Sequence, residues 1–248
     1  MNTTKRIALF ISPHLDDVVF SCGGTLAKMS NDGWHTILCT VFTKSVVKPT
    51  GFALACQLDK NLAPEVDYMK LRRAEDCRAA RVLGVSEVLH LNFSEAPHRG
   101  YDSAPELFAG VKSGDEIWKS VSEHLALLKN IHQPEIIFAP QGLGNHCDHL
   151  QTIDSVLETF SVSQINWYYD TPYIIRQPYT LKYQHLPAQL ISRSTDISAY
   201  IDSKIAASVE YESQIVFQFG GRKQLEQSLL KFHNTSENNY VELFLGSK

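Results

Sequence analysis

The sequence predicts an α/β fold in which a mostly parallel sheet is flanked by helices within a single domain. Three observations carry that reading. Short, continuous apolar runs at residues 6–11, 36–42, 87–93 and 135–139 suit strands buried on both faces. Helix-like stretches at 24–31, 66–83 and 115–131 fall between them, and such alternation calls for parallel pairing through right-handed crossovers. The length of 248 residues is enough for one large core without a second domain.

Taken in order, the helix at 66–83 is closed by Gly84, which serves as a stop. A helix at 148–160 leads to a fifth strand at 164–169. Two further helices are expected at 197–214 and 222–232, and a final segment at 240–245 has no clear type. The domain is taken to span 1–248, with its core at about 6–214 and a helical extension over 215–248. Long loops are expected at 43–64, 94–114 and 171–195, and loops of that length in a compact domain tend to carry function.

A hydrophobic share of 44% and a charged share of 20% are ordinary for a soluble globular protein and argue against disorder. The formal charge of −4 and the scattered Lys and Arg residues offer no field for a phosphate backbone, so no nucleic-acid partner is expected. No run approaches the roughly 20 apolar residues of a spanning helix, so no membrane partner is expected. Residues 7–11 are too short for a signal core, which points to the cytoplasm. Five cysteines without a Cys-x-x-Cys pair argue against a disulfide framework or a thiolate zinc knot.

Two polar clusters follow strands. Pro13-His14-Leu15-Asp16-Asp17, then Cys22-Gly23-Gly24, comes directly after the first. Ligands bind at the carboxyl ends of such strands, and His14 and Asp17, three apart, can face one point while Asp16 projects separately. Gly142-Leu143-Gly144-Asn145-His146-Cys147-Asp148-His149 comes after the strand at 135–139, with His146 and His149 again three apart at the start of a helix. In a doubly wound sheet the two strand ends can be neighbours.

An Asp-Asp pair alone is more often a helix cap, and a His-x-x-His alone is as often a surface pair. Occurring together, each after a strand, they favour a metal site. A catalytic zinc needs three N or O ligands and an open position for water. Asp16 fits the role of a carboxylate that takes the water's proton, and a second histidine can stabilise an oxyanion or protonate a leaving amine. Spacing alone does not decide which of His146 and His149 binds the metal.

These residues resemble the two signature motifs of the LmbE-like, or PIG-L, zinc deacetylases. Arg72-x-x-Glu75, with Ala79 and Leu83-Gly84, resembles that family's Arg-x-x-Glu helix, and Lys204-x-x-Ala207-x-x-x-Tyr211-x-Ser213-Gln214 resembles a further motif. The likeness runs from about residue 6 to residue 214. It implies a Rossmann-like sheet and hydrolytic removal of an N-acetyl or other N-acyl group from a small polar substrate such as an amino sugar. Carried over by position, His14, Asp17 and His149 become ligands of one Zn2+ per chain, with Fe2+ as an alternative metal. Asp16 becomes the general base, His146 the oxyanion-stabilising or acid residue, and Arg72 a substrate contact. The partners implied are a small N-acylated molecule and, at most, further copies of the chain in a homo-oligomer.

Leu15 stands where many members have Pro, Val18 where many have Glu, and Cys147 where Pro or an aliphatic residue is frequent, which marks a subgroup. No ligand position is lost. Gly23-Gly24 and Gly142-x-Gly144 complete neither Gly-x-Gly-x-x-Gly nor a P-loop, so a nucleotide cofactor is not expected. Trp167-Tyr168-Tyr169-Asp170 reads equally as a sugar-stacking wall or as core. His90, His98, His124 and His132 lack paired spacing and are read as structural or solvent-facing. The rivals are hydrolysis of a longer or non-sugar N-acyl amide and a non-catalytic sugar- or metal-binding protein; Asp16, which metal binding does not require, speaks against the latter.

Overall fold

The computed structural model describes residues 5–178 and 184–248. The chain opens with β1 (Ile7–Ser12), α1 (Asp17–Asn31), β2 (His35–Thr40), α2 (Gly51–Leu58), α3 (Tyr68–Val82) and β3 (Glu87–His90). It continues through α4 (Ala104–Phe108), α5 (Ile117–His132), β4 (Ile136–Pro140), α6 (Cys147–Thr159), β5 (Ile165–Tyr168) and α7 (Tyr173–Arg176). The last part adds β6 (Ile191–Asp196), α8 (Ile201–Ser208), α9 (Glu212–Phe219), α10 (Arg222–His233), β7 (Asn234–Ser236) and β8 (Asn239–Gly246).

The sheet runs β3-β2-β1-β4-β5-β8-β6, with β7 paired to β8. Strands β1 to β5 are parallel, as their continuous apolar runs predict. Both faces are covered. Ala8, Phe10, Leu38 and Phe138 pack with Val19, Ala79, Ala207 and Leu225 on one side. Leu9, Ile11, Ile37 and Ile137 pack with Val121, Leu125, Leu150 and Ile153 on the other. The side-chain period of two within β1 thus feeds two separate cores. Phe10 and Phe138 tie β1 to β4 through rings stacked 4.3 Å apart.

The order reverses between β1 and β4: the chain builds outward to β2 and β3, then returns to build β4 and β5 on the other side. That pairing, with Phe10 opposite Phe138, brings both polar clusters to one crevice.

Residues 215–248, expected as a helical extension, do supply α10 but end in β8, which lies antiparallel between β5 and β6. The open edge of β5 is thereby closed. Glu242 interrupts the apolar pattern of this strand yet is fully buried, so hydropathy alone does not mark it as interior. The expected loops also carry structure: α2 lies within 43–64, α4 within 94–114, and α7 with the start of β6 within 171–195. Residues 179–183 of that last loop lie outside the described residues.

Helix α1 is broken at Cys22, whose φ of −138° and ψ of 29° are not helical. The break leaves amide donors free at the start of its second half, and Glu242 accepts from Gly24 N at 2.9 Å and Thr25 N at 2.7 Å. Lys204 Nζ lies 2.6 Å from the same carboxylate and donates to Ser21 O, in the first half, at 3.1 Å. The Cys22-Gly23-Gly24 stretch therefore serves an internal anion. Gly24 is required by close approach, since a Cβ there would meet Ile197 at 2.8 Å.

Both members of the Lys204–Glu242 pair are fully buried. Removing one partner strands the other charge in the core. Lys204→Met should cost ~3–5 kcal/mol in denaturant-measured unfolding, and Lys204→Met combined with Glu242→Gln should recover much of it. A single variant as stable as the parent would show that the pair does not hold the α1 break.

Candidate metal centre

The turn after β1 is fixed by its own polar groups. Ser12 Oγ donates to His14 O at 2.6 Å and accepts from Val18 N at 3.1 Å. Asp17, at the start of α1, accepts from His14 N at 2.8 Å through Oδ2. His146 is the N-cap of α6, and His149 sits in that helix's first turn. The structure brings His14, Asp16, Asp17, His146 and His149 together at one end of the sheet, against a cavity of about 240 Å3.

The two ring nitrogens of each histidine face different groups, and this decides what each can do. His149 Nδ1 lies 2.7 Å from Asp170 Oδ1, which directs a proton to that nitrogen. Its Nε2 is buried without a hydrogen bond and lies 3.3 Å from Asp17 Oδ2. His14 Nε2 lies 3.0 Å from Asp148 Oδ2, and its Nδ1 lies 3.4 Å from the same Asp17 oxygen. Two imidazole nitrogens thus converge on one carboxylate oxygen, each ring backed by a second carboxylate. Carboxylate-backed imidazoles are the usual surroundings of a bound divalent metal.

His146 differs. Its Nδ1 accepts the N–H of Asp148 at 3.2 Å, so the proton of the neutral ring belongs on Nε2. The nitrogens of His14, His146 and His149 fall within 4.8 Å of one another. The hydrogen bonding nevertheless separates them: His14 and His149 each turn a ring nitrogen toward Asp17, whereas His146 presents a donor.

Charge follows the same division. Burial opposes protonation of His14, but its contacts with Asp148 and Asp17 outweigh that and raise its pKa to about 10. Burial likewise opposes protonation of His149, while the charge of Asp17 and contacts with Asp17 and Asp170 raise it to about 9. Burial, then the neighbouring charge of His14, lowers His146 to about 3, so that ring is neutral. Asp17 stays ionised despite its burial, held far below the usual carboxylate range chiefly by His149. Burial raises Asp16 to about 7, with Arg72 opposing and Asp17 adding to the rise. Its Oδ2 is buried without a donor. A carboxylate of that pKa is suited to accept a proton near neutrality.

Arg72 lines the cavity, but its guanidinium is engaged by the protein. It donates to Glu95 Oε1 at 2.7 Å and to Leu15 O at 3.4 Å, and lies 3.6 Å from Asp16 Oδ1. It therefore orients Asp16 rather than extending as a free arm. Trp167 and Tyr168 are fully buried core residues, and Tyr168 donates to Ile11 O. The aromatic side of the cavity comes instead from Phe52, Tyr68, Phe108, Tyr173 and Phe217. Cys147 is buried, with its thiol pushed up to about 12 by burial, which keeps it inert. His90 pairs with Asp76 at 2.8 Å, and His124 packs edge-on against Phe93.

Sequence reading missed the supports of the site. Asp148 stands between two histidines, which could have marked it; Arg99 lies 2.8 Å from its carboxylate, and Ala96 N donates to it at 3.0 Å. Asp170 follows β5 and carried only the general signal of a carboxylate after a strand. Its Oδ2 accepts from Gln141 N and Leu143 N, fixing the loop that leads to His146. Nothing local marked Glu95.

A buried His/Asp donor set at the carboxyl edge of a parallel sheet, with a further carboxylate beside it, has the chemistry of a divalent-metal site. Residues 9–160 match the PIG-L family, described as GlcNAc-PI de-N-acetylase, and the chain belongs to that family. It is 37% identical to a 2'-N-acetylparomamine deacetylase of Streptomyces fradiae over 57% of this chain and 48% of that one, about half that relative's length. A 2'-N-acetylparomamine deacetylase of Niallia circulans is 28% identical, with 98% of this chain and 92% of that one covered. The crystal structure of a deacetylase-bog complex from the biosynthesis pathway of teicoplanin aligns with a TM-score of 0.84 and 25% identity, covering 96% of both chains. The zinc inhibited form of a teicoplanin deacetylase aligns at 0.80 and 24% identity, over 96% of this chain and 97% of that one, a likeness of fold. Among the described residues no helix is long and apolar enough to cross a membrane.

The raised pKa values of His14 and His149 have a consequence for metal binding. Below about pH 9 both rings are protonated in the metal-free protein, and those protons must leave before a cation can bind. Metal affinity should therefore rise with pH between 6 and 8, with about two protons released per ion. Calorimetry in buffers of different ionisation enthalpy reads that number directly, and release of no protons would contradict the arrangement.

Proposed function

We propose that the chain is a zinc-dependent N-deacetylase that hydrolyses the acetyl amide of a small amino-sugar-containing molecule. The observation that carries this reading is the convergence of His14 Nδ1 and His149 Nε2 on Asp17 Oδ2, with Asp16 Oδ2 buried and undonated beside them. His14, Asp17 and His149 would hold the ion, and two imidazoles with one carboxylate suit zinc or ferrous iron. The 2'-N-acetylparomamine deacetylases and the teicoplanin pathway enzyme support an acetylated amino sugar as substrate.

When bound, the cation supplies Lewis acidity that activates water and polarises the acyl carbonyl. Asp16 takes the proton of the attacking water, and Arg72 keeps its carboxylate aimed at the cavity. His146 donates from Nε2 to the acyl oxygen as that oxygen gains charge. The proton held by Asp16 then passes to the leaving nitrogen, giving acetate and a free amine. Asp148 and Asp170 hold the rings of His14 and His149 in place throughout.

A longer N-acyl chain is the second reading, favoured by Phe52, Phe108 and Phe217 along the cavity. Comparing acetyl with hexanoyl amides of one amino sugar separates the two, because higher kcat/KM on hexanoyl would move the assignment to the longer chain.

Asp16→Asn keeps the size of the side chain but cannot take a proton, so turnover should fall roughly 100-fold or more with metal content unchanged. Near-normal turnover would remove Asp16 as the base. His14→Ala, Asp17→Ala and His149→Ala should each lose the ion, measured by metal analysis after dialysis, while His146→Ala keeps it and loses turnover. Should His146→Ala empty the site and His149→Ala leave it full, the two histidines have exchanged roles.

A further inference from the structure

We propose that Tyr173 is a further catalytic residue of this site, its phenol donating a hydrogen bond to the acyl oxygen together with His146. The proposal rests on the hydrolytic reading above. Tyr173 is the first residue of α7, in the segment that follows β5, and lines the same cavity as His14, Asp16, Asp17 and His146. Its ring is placed by a glycine. A Cβ at Gly144 would come within 2.7 Å of Tyr173 Cδ1 and 2.8 Å of Cγ, so a side chain at that position would displace the ring. Gly144 also has φ of +88°, which independently favours glycine.

From that seat the ring packs edge-on against His149, centroids 5.4 Å apart, and against Phe108 at 5.9 Å. Phe108 in turn packs edge-on against His146 at 5.3 Å. The rings of Tyr173, His149, Phe108 and His146 form one continuous set of edge contacts. The position of Tyr173 is thus fixed by packing on three sides before any substrate arrives, and preorganised donors are those that lower a barrier.

The hydroxyl is the unused part of this residue. The phenols of Tyr168 and Tyr211 donate to Ile11 O and Asp76 Oδ1, whereas that of Tyr173 bonds to no protein group among the described residues. A half-buried phenol ordinarily finds a partner. Packing alone does not require the oxygen, because phenylalanine would make the same ring contacts. Tyr173 lines the cavity together with Asp16, Asp17 and His146, so its hydroxyl is available to a molecule bound there. A phenol is neutral at neutral pH and keeps its proton to donate.

Two roles for that donor differ in kinetics. A bond to a substrate hydroxyl exists in the ground state and appears in KM, whereas a bond to a developing oxyanion appears in kcat. The test is Tyr173→Phe, assayed beside the parent and Asp16→Asn on the N-acetylated amino sugar that the parent cleaves fastest, with metal content measured on each preparation. The expected result is full metal, KM unchanged and kcat reduced by roughly 100-fold, the usual effect of deleting one oxyanion donor. If Asp16→Asn is inactive and Tyr173→Phe stays within about threefold of the parent, the role of Tyr173 is overturned while the hydrolytic reading stands. A raised KM with kcat preserved overturns the oxyanion role, and loss of metal makes Tyr173 structural. Release of no acetate by the parent from any N-acetylated amino sugar overturns both readings.

Discussion

Everything at this site depends on the parallel pairing of β1 with β4. The two polar clusters are separated by more than a hundred residues, yet the register that sets Phe10 opposite Phe138 puts the turns after these strands side by side. Because the chain extends the sheet in both directions from this pair, the loops diverge there and leave a crevice that neither fills. The stacked rings of Phe10 and Phe138 contribute to that register in the core, beneath the crevice.

Within the crevice the charges are arranged by exclusion of water. Asp16, Asp17, Asp148 and Asp170 are all nearly or fully buried, which is tolerable only because each faces a cation or several donors. Asp148 is held by Arg99, Ala96 N and His14; Asp170 by Gln141 N, Leu143 N and His149. Asp16 is the exception, with one oxygen beside Arg72 and the other undonated. The same burial that would destabilise a structural carboxylate raises this one to about 7, which is what proton transfer near neutrality needs.

The weaker sequence motifs prove to be clamps between elements of the fold. Glu75 accepts from the backbone and hydroxyl of Ser213, and Asp76 accepts from Tyr211, so α3 is tied to the start of α9. Lys204 on α8 reaches both Glu242 and Ser21 O, joining the break in α1 to β8. Of these, the Lys204 and Glu242 bonds reach the helix that begins with Asp17.

By itself the sequence determined the alternation of strand and helix, because apolar periodicity is a local property of each segment. It also pointed to His14, Asp17 and a histidine of the second cluster as neighbours, since residue types suited to a metal follow two strands. Spacing alone could not choose between His146 and His149, because both stand at the start of α6 three residues apart. Tertiary structure distinguishes their surroundings, giving His149 a carboxylate behind its Nδ1 and His146 a backbone N–H. The sequence left the type of the 240–245 segment open, because Glu242 breaks the apolar pattern of β8, and it was silent on Tyr173, whose ring lies against Gly144. Partners distant along the chain leave no periodicity to read, so the donors, supports and walls of the site became definite only when the sheet brought them within bonding distance.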